Sequence, residues 1–215
     1  CVSSQIGCSL SCSFCATGRM DRKRNLAFDE IYDQVAILNE QSEQSFGSGL
    51  TNIVFMGMGE PLLNYKDVLK AIERITSTES FGMSPRRITV STAGVAKMIK
   101  KLGDDDVRFN LALSLHAAND VKRNEIMAIN ETNNIKSLIE ALNYFHGQTK
   151  GDITLEYVLL KGTNDSLQDA KELAEMIRQL PTGFQTIFNL YAIEGYTHVE
   201  IGQMLGISEG TSKSQ

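Results

Sequence analysis

No stretch of this sequence approaches the roughly 20 apolar residues that a membrane-spanning helix needs, and no charged-then-apolar leader opens it. A helical membrane protein is excluded on that ground, and a cytoplasmic protein is expected. Prolines number three against seventeen glycines, which argues against a disordered or low-complexity chain. Positive charge is not in excess either: the formal net charge of −5 speaks against broad, nonspecific binding to nucleic acid. What remains is 215 residues, 42% hydrophobic, enough for one well-buried globular unit with a small appendage. The sequence opens on Cys1 rather than Met and reads as a piece of something longer.

Cysteine is scarce as well, and its placing carries the information. All four cysteines fall in the first fifteen residues, at Cys1, Cys8, Cys12 and Cys15, with Phe14 just before the last. Three thiolates so spaced can grip three corners of an iron–sulfur cubane, leaving the fourth iron open to chelate a small molecule. The same residues admit a zinc site, completed by a fourth ligand such as His116, or a disulfide with spare thiols. A disulfide suits this chain least, because crowded thiols without a leader usually mark metal ligation in a reducing compartment. Directly after the loop, Arg19, Arg22, Lys23 and Arg24 concentrate positive charge, as either a phosphate-contacting patch or a solvated loop before a helix.

Along the chain, short apolar runs alternate with longer amphipathic stretches. The pattern predicts strands near 2–6, 51–56, 86–91, 108–114 and 153–160, and helices near 28–44, 64–77, 94–102, 119–128, 134–146 and 165–179. Such alternation implies a parallel sheet covered by helices, an α/β barrel or an open doubly wound sheet, with fewer units than a closed eight-fold barrel. Unusual residues gather where the strands end: the cysteine loop, Gly57-Met58-Gly59-Glu60-Pro61, Ser91-Thr92-Ala93-Gly94, Ser114-Leu115-His116, and Gly162-Thr163-Asn164-Asp165. In parallel α/β folds the carboxyl ends of strands form one rim where ligands bind, so one composite site is expected.

Each of these motifs also has a structural reading. Gly57, Gly59 and Glu60 can form a strand-to-helix turn with Pro61 in the first helical turn. Beside an open iron, the glycines would instead admit a ligand close to the backbone, and Glu60 would accept from an ammonium group. Ser91 and Thr92 can cap the following helix or reach a ligand. Ser114 and His116 stand where an alternating strand runs out and can reach a nucleoside, although a lone histidine is more often structural. His146 is assigned to structure, and Asn164 and Asp165 to a turn and N-cap of the helix at 165–179.

The cysteine spacing followed by a Gly-Glu-Pro turn resembles the radical S-adenosylmethionine superfamily. The segments CVSSQIGCSLSCSFCATG (1–18), NIVFMGMGEPLLN (52–64), RRITVSTAGV (86–95) and LALSLHAAND (111–120) resemble, more narrowly, the RlmN/Cfr family of RNA adenine carbon-2 methyltransferases over residues 1–178. That resemblance implies a partial (β/α) barrel in which Cys8, Cys12 and Cys15 hold a [4Fe-4S] cluster and S-adenosylmethionine chelates its free iron. It implies cofactor contacts from Gly59, Glu60, Ser91, Ser114, Leu115 and His116, an electron donor protein, and an RNA substrate: 23S ribosomal RNA and, in some members, transfer RNA. It also implies a deoxyadenosyl radical that takes hydrogen from a methyl group carried on a protein cysteine. Cys1 matches the family's second cysteine, which helps resolve the protein–RNA adduct. The family's methyl-carrying cysteine and N-terminal accessory region have no counterpart here, so the core is expected to bind both cofactors without completing methylation.

From about residue 180 the resemblance fails. IFNLYAIEGYTHVEIGQMLGISEGTSKSQ (187–215) places Glu194 where the family has an Asn, and resembles the helix-turn-helix of region 4 of extracytoplasmic-function sigma factors. One helix is expected near 197–204, a turn at Leu205-Gly206-Ile207, and a recognition helix from Ser208. The implied organisation is a core at 1–179 and an incomplete, helical tail at 180–215. The alternative to an enzyme is a zinc- or DNA-binding module, yet Lys213 is the only Lys or Arg after Arg178, so DNA binding by the tail is not expected.

Overall fold

The computed structural model describes residues 1–180, 185–188 and 203. The core fold is α/β with parallel strands, as the alternation predicts, and its contacts group into two compact units. The first comprises Cys1–Thr92 with Val107–Leu111; the second comprises Ala93–Asp106 and the residues from Ala112 onward. Among the described residues no helix is long and apolar enough to cross a membrane.

The first unit opens with two short strands, β1 (Gln5–Ile6) and β2 (Arg24–Asn25), which pair antiparallel with Gln5 opposite Asn25 and Ile6 opposite Arg24. This corrects the expectation of a longer first strand near 2–6. The polar run Ser3-Ser4-Gln5 spends its backbone on the turn at 57–58, with the N–H groups of Ser4 and Gln5 both donating to the Met58 carbonyl (3.0 and 3.1 Å). Only Val2 follows the next strand, donating to Val54 O at 2.9 Å and accepting from Gly57 N–H at 3.0 Å.

Helix α1 (Phe28–Phe46) packs on α2 (Tyr65–Thr76), with β3 (Ile53–Phe55) between them in sequence. Apolar residues recur at helical spacing on both helices, and Ile31, Val35, Val68, Ala71 and Ile75 are buried, as are Ile53 and Phe55 of the same unit. The outer seam is tied by cations over rings, Lys70 above Phe28 (3.6 Å) and Arg74 above Tyr32 (4.3 Å). Strand β4 (Ile88–Thr92) runs parallel to β3 in the register Ile53 to Ile88 and Phe55 to Val90. The carboxyl ends of these two strands therefore share a side, which brings the turn at 57–60 and Ser91 to the same end of the pair.

The second unit contains α3 (Ala96–Asp104), α4 (Asp120–Ile126), α5 (Ile135–Thr149), β6 (Ile153–Tyr157) and α6 (Leu167–Ile177). Strand β5 (Asn110–Ser114) begins in the first unit and ends in the second. Helices α3 and α5 pack on one another through buried Ile99, Leu102, Leu138, Leu142 and Phe145. Strand β7 (Gln185–Phe188) pairs parallel with β6, Thr154 opposite Gln185. Glu194 and the expected turn and recognition helix of the tail lie outside the described residues, as does most of the expected helix at 197–204.

Two expected caps are made differently. Ser91 and Thr92 belong to β4, and the N-cap position of α3 falls on Val95; the first N–H of α3, at Ala96, donates to Asn133 Oδ1 at 2.9 Å. Helix α6 is capped by Ser166, whose Oγ accepts from Asp169 N–H (3.3 Å) while the Asp169 carboxylate accepts from Ser166 N–H (3.0 Å), a reciprocal box. Asn164 is not the cap; it is 1% exposed and serves as a buried connector described below.

Candidate active site

Hairpin pairing closes the cysteine loop before any ligand enters. Strands β1 and β2 form its base, and within it Cys15 N–H donates to Cys12 O (3.1 Å), Gly18 N–H to Cys15 O (3.1 Å), and Cys8 N–H to Met20 O (3.3 Å). Gly7 enters the loop at φ +74, and a Cβ there would stand 2.2 Å from the Asp21 carbonyl oxygen, so no larger residue fits without moving backbone. All four cysteines are free thiols, which removes the disulfide alternative; Cys1 is exposed, and Cys8, Cys12 and Cys15 are half-buried.

Among the described residues, no three His, Cys, Asp or Glu side chains converge as one metal ion requires. A single zinc would hold its sulfurs within about 4 Å of one another, whereas a cubane offers each thiolate its own iron and accepts a wider spread. The donor set fits the cluster. Burial pushes the Cys8 thiol up; the Leu10 N–H on its sulfur (3.5 Å) opposes this, and the nearby charges of Glu60 and Cys15 raise it further. Cys8 therefore lies within electrostatic reach of both Cys15 and Glu60, and metal loading must release its proton.

Glu60 is placed by a residue that carries no motif signal of its own. Gln5 is fully buried; its Oε1 accepts from Glu60 N–H (3.0 Å) and its Nε2 donates to Asn25 Oδ1 (2.7 Å), joining the turn to β2. Gly59 sits at φ +94 with its missing Cβ only 2.5 Å from Gln5 Cβ, so close approach and backbone conformation both require glycine. Glu60 is 2% exposed and Oε1 accepts from Leu62 N–H (3.0 Å), capping the short 3-10 helix Pro61–Asn64. Both readings of this motif therefore hold at once: it is a strand-to-helix turn, and it buries a carboxylate beside the cysteine loop. Ser91 is 7% exposed on β4. Cys1 precedes Val2, whose backbone is bonded to β3 and to Gly57.

In the second unit, Ser114, Leu115 and His116 follow one another at the end of β5. Ser114 Oγ donates to Glu156 of β6 (3.0 Å), and the N–H groups of Leu115 and His116 both donate to Glu156 O (2.9 and 3.2 Å). His116 has φ +57 and is 5% exposed. Its Nδ1 accepts from Val158 N–H (3.0 Å), so in the neutral ring the proton belongs on Nε2. Burial, aided by the positive charge of Arg123, pushes its pKa down to about 3. Asn164 locks this corner: its Nδ2 donates to His116 O (2.6 Å) and Val158 O (2.7 Å), and its Oδ1 accepts from Leu160 N–H (2.6 Å). These bonds end β6 at Tyr157, short of the expected residue 160. His146, as expected, is structural, with Nδ1 against Gly151 O at 3.0 Å.

Arg123 of α4 is the residue that sequence reasoning missed most completely. It is fully buried, and its guanidinium reaches Leu115 O (2.9 Å), Ser114 O (3.2 Å), Ala93 O (2.7 Å) and Asn130 Oδ1 (2.8 Å). One cation thus fixes the carbonyls on which Ser114 and Leu115 depend. No sequence signal separates it from a solvated helical arginine. A cavity of about 470 Å³ in the first unit, lined by Asn39, Glu43, Leu50, Phe81 and Arg87 among others, involves none of the candidate residues and lies near the amino ends of β3 and β4.

An α/β fold carrying three loop-borne free thiols, with a glycine-lined buried carboxylate after the next strand, defines a radical S-adenosylmethionine protein. The comparison agrees: residues 2–180 match the family model for the Radical SAM superfamily, and the chain belongs to that superfamily. Within it, the chain is 60% identical over 181 residues to a probable dual-specificity RNA methyltransferase RlmN of Cytophaga hutchinsonii, and 50% identical over 184 residues to one of Salinibacter ruber. It spans about half the length of these curated relatives, 50% of each, while 84% and 85% of this chain is matched. The crystal structure of a radical SAM methyltransferase from Sphaerobacter thermophilus superposes with a TM-score of 0.83 at 40% identity, covering 87% of this chain and 54% of that one. Streptococcus suis SuiB bound to S-adenosylmethionine shares the fold at TM-score 0.58 and 15% identity, covering 94% of this chain and 45% of that one. Residues 170–215 also match the Sigma-70, region 4 model, which meets the first match on α6.

Two outcomes test this geometry. Replacing Arg123 with Met strips a buried donor from four acceptors and is expected to cost about 2–4 kcal/mol in urea unfolding; an unchanged midpoint would refute the clamp. The unfolded histidine titrates near 6.5, so between about pH 6.5 and 3 the unfolded chain binds the extra proton and His116 weakens the fold as pH drops. His116→Gln should flatten the loss of stability across that window, and parallel wild-type and variant curves would contradict it.

Proposed function

We propose that this chain is the catalytic core of a radical S-adenosylmethionine RNA methyltransferase acting on adenine carbon 2 of 23S ribosomal RNA and transfer RNA. The observation that carries this is the triad of free thiols on a hairpin-closed loop, with Cys8 in the field of both Cys15 and Glu60. The 60% identity to a relative named as an RNA methyltransferase supports the substrate class. Cys8, Cys12 and Cys15 would hold a [4Fe-4S] cluster, and when bound with S-adenosylmethionine this group supplies reductive cleavage of the sulfonium by one electron from a donor protein.

The chain's own residues bind and orient. Glu60 accepts from the cofactor's ammonium group, and Gly59, packed on Gln5, is a proposed backbone contact of the same cofactor. Ser91, Ser114, Leu115 and His116 are proposed contacts of the cofactor, with His116 remaining neutral. Cys1 is the thiol proposed to resolve a protein–RNA adduct. With Cys1 and three ligands assigned, these 215 residues hold no further thiol to carry a methyl group. Complete methyl transfer therefore needs such a thiol from additional chain.

The match of residues 170–215 to Sigma-70, region 4 supports a separate origin for the tail. We assign that tail no DNA-binding role. Anaerobic reconstitution with iron and sulfide is the test. An iron–sulfur chromophore lost in Cys12→Ala, and reductant-dependent release of deoxyadenosine from S-adenosylmethionine, are expected; tight zinc binding without cleavage would favour the zinc-module alternative.

A further inference from the structure

The segment from Arg19 to Arg24 is held as firmly as the cysteine loop, yet cluster binding gives it no task. Cys8 N–H bonds to Met20 O and Lys23 N–H to Ile6 O (2.8 Å), while Arg24 is paired in register with Ile6. The strip is thus bonded to residues 6–8, at the start of the cysteine loop, through Met20, Lys23 and Arg24. Arg19, Met20, Asp21, Arg22, Lys23 and Arg24 are all exposed.

The cations in this strip are not equivalent. Arg24 is engaged within the fold: its guanidinium meets both Glu30 oxygens (2.6 and 2.8 Å) and holds that carboxyl down at about 2, anchoring β2 to the start of α1. Among the described residues, no salt bridge joins Arg19, Arg22 or Lys23 to a carboxylate, and Arg22 Nη2 meets only the neutral Asn25 Oδ1 (3.1 Å). In a chain of net charge −5, Arg19, Arg22, Lys23 and Arg24 outnumber Asp21, the one acid of the strip, so this ordered segment carries net positive charge.

We propose that Arg19, Arg22 and Lys23 form a phosphate-contact strip that seats the sugar–phosphate backbone of an RNA strand beside the cysteine loop. This rests on the reading of the chain as an RNA-modifying core, and adds where the substrate is held. Guanidinium forks suit phosphate oxygens, and such contacts fix register and orientation without reading sequence. Asn25 links the strip inward, since its Oδ1 accepts from both Arg22 and the buried Gln5 that holds Glu60. The strip and the cofactor-facing turn therefore share one hydrogen-bonded support.

The test is salt-dependent binding of a labelled RNA hairpin with adenine in its loop, by fluorescence anisotropy over roughly 50 to 200 mM KCl. Unaltered chain, single Arg19→Gln, Arg22→Gln and Lys23→Gln variants, and the triple variant are compared, with circular dichroism and reconstituted iron content as folding controls. Each substitution is expected to flatten the slope of log K against log salt by about 0.7, and the triple variant by about 2. The loss should be about tenfold at low salt and independent of hairpin sequence. A triple variant with the unaltered slope overturns the strip alone. Polyglutamate that competes as well as RNA does also overturns it, by showing a generic acid-binding surface. If the unaltered chain binds no RNA, the strip falls together with the RNA assignment, while deoxyadenosine release from the same preparation still reports separately on the cofactor chemistry.

Discussion

The side-chain amide of Gln5 is the interaction on which the candidate site most depends. Buried without any exposure, it presents one face to Glu60 N–H and the other to Asn25, while its backbone N–H meets Met58 O. A buried amide that satisfies its polar groups in this way is rigid, because any shift leaves a desolvated group without a partner. The cysteine hairpin and the glycine turn are consequently one piece. Gly59 completes the fit by removing the only atom that would hold the two apart.

The second unit solves a similar problem with charge. Arg123 gathers the carbonyls of Ala93, Ser114 and Leu115, and Asn164 gathers those of His116 and Val158. Strand ends expose carbonyls that no further ladder partner will take. A cation and a primary amide can each serve several of these at once, and a helix or a third strand cannot. The same cation that orders the backbone also helps to keep His116 neutral, so the donor on its ring is fixed rather than exchangeable near neutral pH.

Much of this was legible in the sequence, and the reasons are local. Apolar spacing of 2 and 3.6 located the helices and the main strands of the described residues to within a few residues, because Ile53, Phe55, Val68 and Ile75 reveal their burial by period alone. Cysteine spacing and the Gly-Glu-Pro turn mark the candidate site because their chemistry is carried by residue type. The residues that escaped are those whose role depends on distant partners. Gln5 sits in a polar run and Arg123 on an amphipathic helix, where each looks solvated. Asx residues before a helix predict a cap at Asn164 or Asp165, yet Ser166 takes that place and Asn164 turns inward to the end of β5. Hydroxyls before a helix likewise suggest Ser91 as a cap, while Asn133, 37 residues from Ala96, accepts from the first N–H of α3.

The central claim is one open coordination site on a cluster held by Cys8, Cys12 and Cys15. Mössbauer spectroscopy of the chain reconstituted with iron-57, recorded with and without S-adenosylmethionine, tests it most directly. One iron in every four should change its signal when the cofactor is added, leaving the other three in a sulfur-ligated environment. Four irons that all ignore the cofactor, or a preparation that holds no cluster iron, would contradict it.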